Sequence, residues 1–264
     1  MAVSIKPIGR KNYGSIPHLP NSRMGPGDHS CHEGQLIIAT KKARDRHDLI
    51  IVTEKLDGSN VGIARVGNAI HAIGRAGYLA QSSPYEQHQL FAHWVRGLEV
   101  QFRNALNDGE RIVGEWMAQA HGARYSLPNG PFIAFDIMVG DKRLPYNEVR
   151  QRCIDCGIAI PKLLHMGGPI SVEDAMKRHG TGDHGLLDDP EGAVWRVERR
   201  GEFDFMAKWV RPDKVDGSLL PDIAGNEGKD IVWNWRPKKP STQSQTEEPA
   251  LAGDDELAQT EDLA

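Results

Sequence analysis

The feature that most constrains the fold of this chain is a lysine between an apolar run and a tight turn. Residues 49–52 (Leu-Ile-Ile-Val) have the composition of a buried strand, and residues 61–65 read as a second strand. Between them, Asp57-Gly58 is a strong turn signal. We therefore predict a β-hairpin with Lys55 near its tip. A lone Lys-x-Asp-Gly match is common, so a chemical role for Lys55 depends on residues further along the chain.

Length and composition are those of an ordinary soluble protein. The 264 residues are 39% hydrophobic and 26% charged, enough for one large domain or two small ones. No run approaches the roughly 18 apolar residues of a membrane span, and the N-terminus lacks the apolar core of a secretory signal. We expect a cytoplasmic protein with no membrane partner.

The formal charge of −4 is distributed unevenly along the chain. Residues 237–264 hold two lysines and seven acidic residues, which leaves a slightly basic body of +1. This segment is rich in Pro, Ser, Thr, Gln and Glu and has no aromatic residue, a composition typical of disorder. We predict a disordered acidic tail at 237–264. A near-neutral body permits nucleic-acid binding but does not argue for it.

The remainder divides into an arm and a domain. Residues 1–40 contain four prolines and a Gly-Pro-Gly cluster, so we predict an irregular N-terminal arm packed on a domain at 41–236. Apolar residues recur every four positions in 85–107, which predicts an amphipathic helix on a sheet. Residues 146–156 suggest another helix. Further strands are predicted at 69–73, 111–116, 132–139, 193–198 and 203–210. This order indicates an α+β fold with largely antiparallel sheets.

Polar residues suited to a nucleotide lie on or beside these strands. Glu115 follows a glycine near the end of one strand, and Phe135 precedes an acid in the next. Glu191 opens a later strand and Lys208 lies on the last. In this order, with Lys55, the motifs resemble those of the covalent nucleotidyltransferases, which comprise ATP-dependent DNA ligases, RNA ligases and messenger-RNA capping enzymes. The resemblance spans about residues 50–211.

The first motif separates the members of that superfamily. Lys-x-x-Gly-x-Asn after a glutamate resembles the RNA ligases of phages and bacteria, whereas DNA ligases usually carry arginine where this chain has Asn60. The resemblance implies an ATP-dependent RNA ligase that joins 5′-phosphate and 3′-hydroxyl ends, nicked or single-stranded, as in RNA repair. A minimal DNA ligase, or a nucleotide-binding or nucleic-acid-binding module that no longer seals strands, stays open as an alternative.

The resemblance also implies roles for the charged residues. Lys55 would attack ATP and become a lysyl-AMP intermediate, which requires a neutral amine, and we expect nearby cations and partial burial to lower its pKa. Lys208 would hold the α-phosphate and repel the proton on Lys55. Glu191 would engage Mg²⁺ or Mn²⁺.

Five further residues are expected to bind the nucleotide. Glu115 would accept hydrogen bonds from the ribose hydroxyls, and Phe135 would stack on adenine, with Phe132 facing the core instead. The others are Glu54 for the adenine amino group, Asn60 beside the phosphates or metal waters, and Arg75 for a phosphate or the ribose.

The fifth motif departs from the family pattern. It is often Lys-x-Lys, but Val210 holds the second position here, so Arg211 or Lys214 would supply that charge. Residues 211–214 also resemble the sixth motif, which normally lies on a separate OB-fold domain. They follow Lys208 too closely for that assignment, and we expect no OB-fold domain.

Overall fold

The computed structural model describes residues 5–223, 225–226 and 228–237. Its strands form two antiparallel sheets flanked by helices, which confirms the α+β prediction. All but the first residue of the predicted tail at 237–264 lies outside the described residues. In chain order the elements are α1 (Glu33–Thr40), β1 (Asp48–Lys55), β2 (Ser59–Val66), β3 (Ala69–Gly74), a short 3₁₀ helix (Ala80–Ser82), α2 (Glu86–Gly97), α3 (Glu99–Ala105), β4 (Glu110–Trp116), β5 (Phe132–Val139), β6 (Lys142–Arg143), α4 (Tyr146–Asp155), β7 (Leu163–Gly167), α5 (Val172–Lys177), β8 (Gly192–Arg199) and β9 (Glu202–Val210).

The predicted hairpin at Lys55 is wrong. The four-stranded sheet has the order β7-β1-β8-β9 and the five-stranded sheet has the order β3-β2-β4-β5-β6, so β1 and β2 belong to different sheets. Asp57-Gly58 carries the chain from one sheet to the other. A Cβ on Gly58 would lie 2.5 Å from the carbonyl oxygen of Trp116. The glycine therefore permits a close backbone approach rather than the positive φ of a hairpin turn.

Two other predictions need correction. The helix predicted over residues 85–107 is broken at Leu98 into α2 and α3. The irregular arm contains one regular element, α1, at its C-terminal end. The elements β7 and α5 were not predicted, because both are short and neither carries a clear apolar period. No helix in the described ranges is long and apolar enough to cross a membrane.

Apolar side chains fill the outer face of each sheet. In the five-stranded sheet, Trp116 and Phe132 pack against Phe91 and Phe102 of the helices, which confirms the core position of Phe132. In the four-stranded sheet, alternate residues of β1, β8 and β9 pack against α1 and α5. The opposite faces of these strands therefore turn toward the space between the sheets.

A buried ion cluster joins the two sheets across that space. Asp136 of β5 is fully buried and accepts hydrogen bonds from Arg196 of β8 at 2.8 Å and from Arg143 at 2.6 Å. Tyr13 of the arm donates a third hydrogen bond to Asp136 at 3.0 Å. The arm and both sheets thus meet at one carboxylate, which fixes their relative position.

Candidate active site

The cavity between the two sheets brings together most of the residues that the sequence singled out. Inward-facing side chains of β1, β8 and β9 line one wall, and residues of β2, β4 and β5 line the other. Seven of the nine predicted site residues lie on its wall, namely Glu54, Lys55, Asn60, Arg75, Glu115, Phe135 and Lys208.

Strand register explains why Lys55 meets Glu191. The two strands β1 and β8 are antiparallel, and Lys55 at the end of β1 is paired with Gly192 at the start of β8. Glu191 precedes Gly192, so the two charged side chains converge. Lys55 Nζ donates a hydrogen bond of 2.6 Å to Glu191 Oε2. The register between β1 and β8 therefore brings the side chains of Lys55 and Glu191 into contact.

Lys214 completes this cluster, and Arg211 does not. Lys214 is buried, and its ammonium contacts Asp57 Oδ1 at 2.8 Å and also Glu191 Oε1. Arg211 pairs with Asp213 at 2.7 Å and does not line the cavity. Arg211 contacts Glu191 only through its backbone N–H, which donates to the Glu191 carbonyl at 2.9 Å. Of the two residues expected to replace the second lysine of the fifth motif, Lys214 is the one whose side chain reaches the Glu191 carboxylate.

The surroundings of Lys55 raise its pKa, which is opposite to the expected direction. Burial by itself would lower the pKa of this amine, but the negative charges of Glu191 and Glu115 outweigh burial and raise it. The expectation of a lowered pKa counted the nearby cations and left out the carboxylates. In the free protein Lys55 is therefore an ammonium paired with Glu191.

The carboxylates of this cluster are crowded. Burial, together with the charges of Glu191 and Asp57, raises the pKa of Glu115 to about 7, even though Lys55 opposes this. Burial also raises the pKa of Asp57, and Glu191 adds to that shift. For Glu191 burial acts in the same direction, but Lys55 and Lys214 outweigh it and lower its pKa. The surroundings therefore favour the ionised form of Glu191 and disfavour the ionised forms of Glu115 and Asp57.

This arrangement suits a divalent cation held partly by its substrate. Among the described residues, no three His, Cys, Asp or Glu side chains form a ready metal cluster. Mg²⁺ usually needs only one or two carboxylates, with phosphates and waters completing its shell. Glu191 is ionised, and the buried Oδ2 of Asp57 has no hydrogen-bond partner. These two groups fit a cation that arrives with a nucleotide.

Lys208 lies on the same face of its sheet as Lys55. It is opposite Val194 of β8, which in turn is opposite Thr53 of β1, two residues before Lys55. Side chains two residues apart on a strand share a face. Burial and the positive charge of Lys55 both lower the pKa of Lys208. The sequence predicted that Lys208 would lower the pKa of Lys55, but the pKa of Lys55 is raised, and the lowered pKa is that of Lys208.

The second sheet supplies an amide, a carboxylate and an aromatic ring, and Arg75 directly follows its strand β3. Asn60 of β2 is directly paired with Glu115 of β4, and Glu115 Oε1 accepts the Gly58 backbone N–H at 3.3 Å. Phe135 is the extra residue of a β-bulge in β5, a feature that re-aims a side chain. Arg75 is exposed at the rim of the cavity.

Glu54 has partners of its own. It is buried, and its Oε1 accepts the Lys162 backbone N–H at 2.8 Å and lies 3.3 Å from His184 Nε2. Burial raises the pKa of Glu54 to about 7. A hydrogen bond from this carboxylate to an adenine amino group would compete with these contacts, so that role stays a prediction.

Sequence reasoning missed residues of the N-terminal arm. Tyr13 and Ile16 line the cavity, and Asn12 Nδ2 donates a hydrogen bond of 3.3 Å to Asn60 Oδ1. The one hint in the sequence was Gly62, a glycine within a strand. A Cβ there would lie 2.2 Å from the Asn12 side chain.

His121 was also missed. It lies 3.4 Å from Ser59 Oγ, and burial with the charge of Lys214 lowers its pKa to about 4.

A comparison with protein families identifies the class of this chain. The RNA ligase family model matches residues 48–210, from the first residue of β1 to the last residue of β9. The chain therefore belongs to the RNA ligase family. The comparison with curated proteins gives no match.

A comparison with solved structures also finds RNA ligases, the first of which agrees in fold. An archaeal ATP-dependent RNA ligase (form 2) matches with a TM-score of 0.51 and 19% identity over 75% of this chain and 48% of that one. A Naegleria gruberi RNA ligase K326A mutant with ATP and Mn matches with a TM-score of 0.48 and 17% identity over 75% of this chain and 61% of its own. The chain spans about half the length of the archaeal ligase.

Proposed function

We propose that this protein is an ATP-dependent RNA ligase that works through a lysyl-AMP intermediate. The observation that carries the proposal is the contact between Lys55 Nζ and Glu191, beside a cavity whose walls hold six of the other nucleotide-binding candidates. Membership of the RNA ligase family favours RNA ends over DNA ends. A role in RNA repair, and a cytoplasmic location, remain predictions from the sequence.

The reaction would proceed in three steps. The neutral amine of Lys55 attacks the α-phosphorus of ATP, an N–P bond forms, the bond to the β-phosphate oxygen breaks, and pyrophosphate leaves. A 5′-phosphate then attacks the same phosphorus and releases Lys55, so that AMP is attached to the RNA. Finally, a 3′-hydroxyl attacks the 5′-phosphorus, forms the phosphodiester and expels AMP.

Because the pKa of Lys55 is raised, neighbouring groups must help to remove its proton. The amine must leave Glu191 and lose a proton before it attacks. Glu191, with Asp57, would hold a divalent cation, which when bound supplies positive charge to the phosphates and occupies the carboxylate that otherwise pairs with Lys55. Lys208 and Lys214 would stabilise the negative charge that develops on the α-phosphate.

The other wall of the cavity would orient the nucleotide. An ionised carboxylate accepts hydrogen bonds only, and sugar hydroxyls can donate them, so Glu115 would hold the ribose. Phe135 would stack on the base, and its edge-to-face contact with Tyr13 at 5.2 Å between ring centroids fixes its plane. Asn60 and Arg75 would contact the phosphates from the rim.

The first test is covalent labelling. The protein is incubated with α-labelled ATP and Mg²⁺ and run on a denaturing gel. Wild type should retain the label, and both Lys55→Ala and Lys55→Arg should lose it, because a guanidinium is not a usable nucleophile. Lys55→Arg keeps a cation beside Glu191, which separates loss of chemistry from loss of folding. Lys142→Ala, at an exposed lysine, should label like wild type. Label on Lys55→Arg would reject the assignment.

The second test identifies the polymer. Nicked duplexes with RNA or DNA on each side of the nick, and single strands, are compared at equal concentration. Sealing that requires ribonucleotides at the nick would support an RNA ligase, because a 2′-hydroxyl is what distinguishes RNA from DNA at a site. Equal sealing of an all-DNA nick would favour the minimal DNA ligase. Labelling without sealing of any substrate would favour a binding module.

A further inference from the structure

We infer that Asp28 of the N-terminal arm is a positioning residue for Lys208, held in place by His18 and Ser22. The inference rests on the proposed function, in which Lys208 contacts the α-phosphate. It assigns to the arm, which lies outside the region matched by the family model, a direct part in setting up the site.

The arm is fastened to the edge strand that carries Lys208. The Leu19 backbone N–H donates to the Lys208 carbonyl at 2.8 Å, and the Lys208 N–H donates to the Pro17 carbonyl at 2.9 Å. Two residues further along, the Arg23 N–H donates to the Val210 carbonyl at 3.0 Å. The arm thus runs beside the end of β9 and satisfies backbone groups that an edge strand would leave unpaired.

The side chain of Lys208 meets a carboxylate supplied by this arm. Lys208 Nζ lies 3.5 Å from Asp28 Oδ1, and both side chains are largely shielded from solvent. The other oxygen, Oδ2, accepts the Gly25 backbone N–H at 2.9 Å and lies 3.2 Å from His18 Nε2. One oxygen of Asp28 therefore faces the lysine, and the second is anchored in the arm.

A chain of polar contacts supports the anchored oxygen. The Val210 N–H donates to Ser22 Oγ at 2.9 Å, and the Ser22 hydroxyl lies 2.6 Å from His18 Nδ1, much nearer than its other acceptor, the Arg23 carbonyl at 3.4 Å. In that arrangement the proton of the neutral imidazole is on Nε2, which lies 3.2 Å from Asp28 Oδ2 in a geometry that falls short of a hydrogen bond. His18 is only 1% exposed, and burial and Lys208 lower its pKa, which favours the neutral ring. The chain of contacts begins and ends on β9.

Lys208 needs such a partner because its surroundings oppose its charge. Burial and the nearby Lys55 act against the ammonium, while Asp28 and the more distant Glu191 favour it. A cation that is to meet a phosphate must be charged and correctly aimed before the nucleotide binds. Asp28 does both, and it contacts neither the cavity nor Lys55 itself.

The experiment is a double-mutant cycle on the rate of covalent labelling by α-labelled ATP. Asp28→Asn keeps one oxygen as an acceptor for the Gly25 N–H, removes the charge and replaces the oxygen that faces Lys208 with an NH2 group. It should lower the single-turnover rate at saturating ATP by about tenfold, as removal of a supporting group typically does. Asp28→Glu should recover most of the rate. In a Lys208→Ala background, Asp28→Asn should have no further effect, because the group through which it acts is gone.

The controls separate this inference from the proposed function. Asp141→Asn removes a carboxylate that pairs with Arg10 of the same arm, far more exposed than Asp28, and should label at the wild-type rate. Thermal unfolding of Asp28→Asn is measured in parallel and the rate is expressed per folded molecule, so that a slower rate is not a folding defect. Equal rates for wild type and Asp28→Asn, or an equal loss in both backgrounds, would overturn the inference. Failure of wild type itself to label would reject the proposed function instead.

Discussion

The two ends of β1 carry carboxylates in opposite electrostatic situations. Asp48, the first residue of β1, forms ion pairs with Arg44 and Arg199, each at 2.8 Å. At its last residue, Lys55 lies among Glu191, Glu115 and Asp57, with Lys214 as the second cation. At the first end two arginines contact one buried acid, and their other partners, Asp45 and Asp204, are more exposed. The second end groups three acids with two cations.

The pKa values record this difference. Burial would raise the pKa of Asp48, but hydrogen bonds from Arg44 and Arg199 outweigh it and lower the pKa to about 2. At the other end the pKa of Glu115 is raised to about 7. A carboxylate with a lowered pKa stabilises the fold, and one with a raised pKa destabilises it once ionised. The charges at the first end of β1 stabilise the fold. Those at the second end destabilise it through repulsion between carboxylates, which a bound nucleotide and cation would reduce.

The largest change should come from removing the second cation. Lys214→Met would leave Glu191 and Asp57 buried, with Lys55 as the remaining close cation among the described residues. We expect a loss of about 3 kcal/mol in the free energy of unfolding, typical of a broken buried ion pair. Labelling by ATP should fall by about a hundredfold, because a charge on the developing transition state is also lost. Denaturant unfolding and the labelling rate measure the two effects.

A matched lysine in the same segment provides the control. Lys229 is exposed and donates to Asn226, so Lys229→Met should change neither quantity. If Lys214→Met also labelled normally, Lys214 would be a structural ion-pair partner and the replacement for the second lysine of the fifth motif would have to be sought elsewhere.

The comparison also shows what the sequence could predict. Most strands, including β4, β5, β8 and β9, were located because they are apolar runs bounded by turn residues. The pairing of the strands could not be predicted, because each strand pairs with strands that are distant in the sequence. Asp57-Gly58 marks a turn correctly, but it does not determine which strands pair on either side of it. Seven of the nine residues predicted from the family motifs line the cavity, because strand register brings the ends of those strands together.

The parts of the site outside those motifs were harder to predict. The arm has no apolar period, so Asn12, Tyr13 and Asp28 could not be distinguished from loop residues. Asp57 was read as a turn residue, and its carboxylate meets Lys214 only through folding of a distant segment. The raised pKa of Lys55 depends on a sum of charges from separate stretches of chain, which no local pattern contains.

Neutralising the crowded end should stabilise the free protein. Glu115→Gln removes a carboxylate whose pKa rises from 4.5 to about 7 on folding. A raised pKa means that the folded state holds the proton longer, so ionised Glu115 reduces stability increasingly as pH rises above 4.5 and fully above 7. At pH 8 we expect Glu115→Gln to gain about 3 kcal/mol at most, while ATP binding weakens. Denaturation at pH 8 and pH 5 measures this, and an equal difference at both values would contradict it.

The same chemical change at the other end should have the opposite sign. Asp48→Asn removes a carboxylate whose pKa falls from 3.8 to about 2 on folding. Its contribution is complete above pH 3.8 and disappears as pH falls to about 2. At pH 7 we expect Asp48→Asn to lose about 2 kcal/mol, with labelling per folded molecule unchanged. The variant and wild type should converge in stability toward pH 2, and a constant gap across that range would refute the electrostatic explanation.

The smallest expected effect is the coupling between the two ends. Seven residue steps of strand separate Asp48 from Lys55, a distance of about 23 Å. This exceeds a Debye length of about 8 Å at physiological salt, and the two clusters share no charged partner among the described contacts. The double variant Asp48→Asn with Glu115→Gln should therefore show the sum of the single changes to within about 0.5 kcal/mol. A larger coupling would mean that β1 shifts as a rigid element when either end is altered, so that stability at Asp48 would bear directly on the position of Lys55.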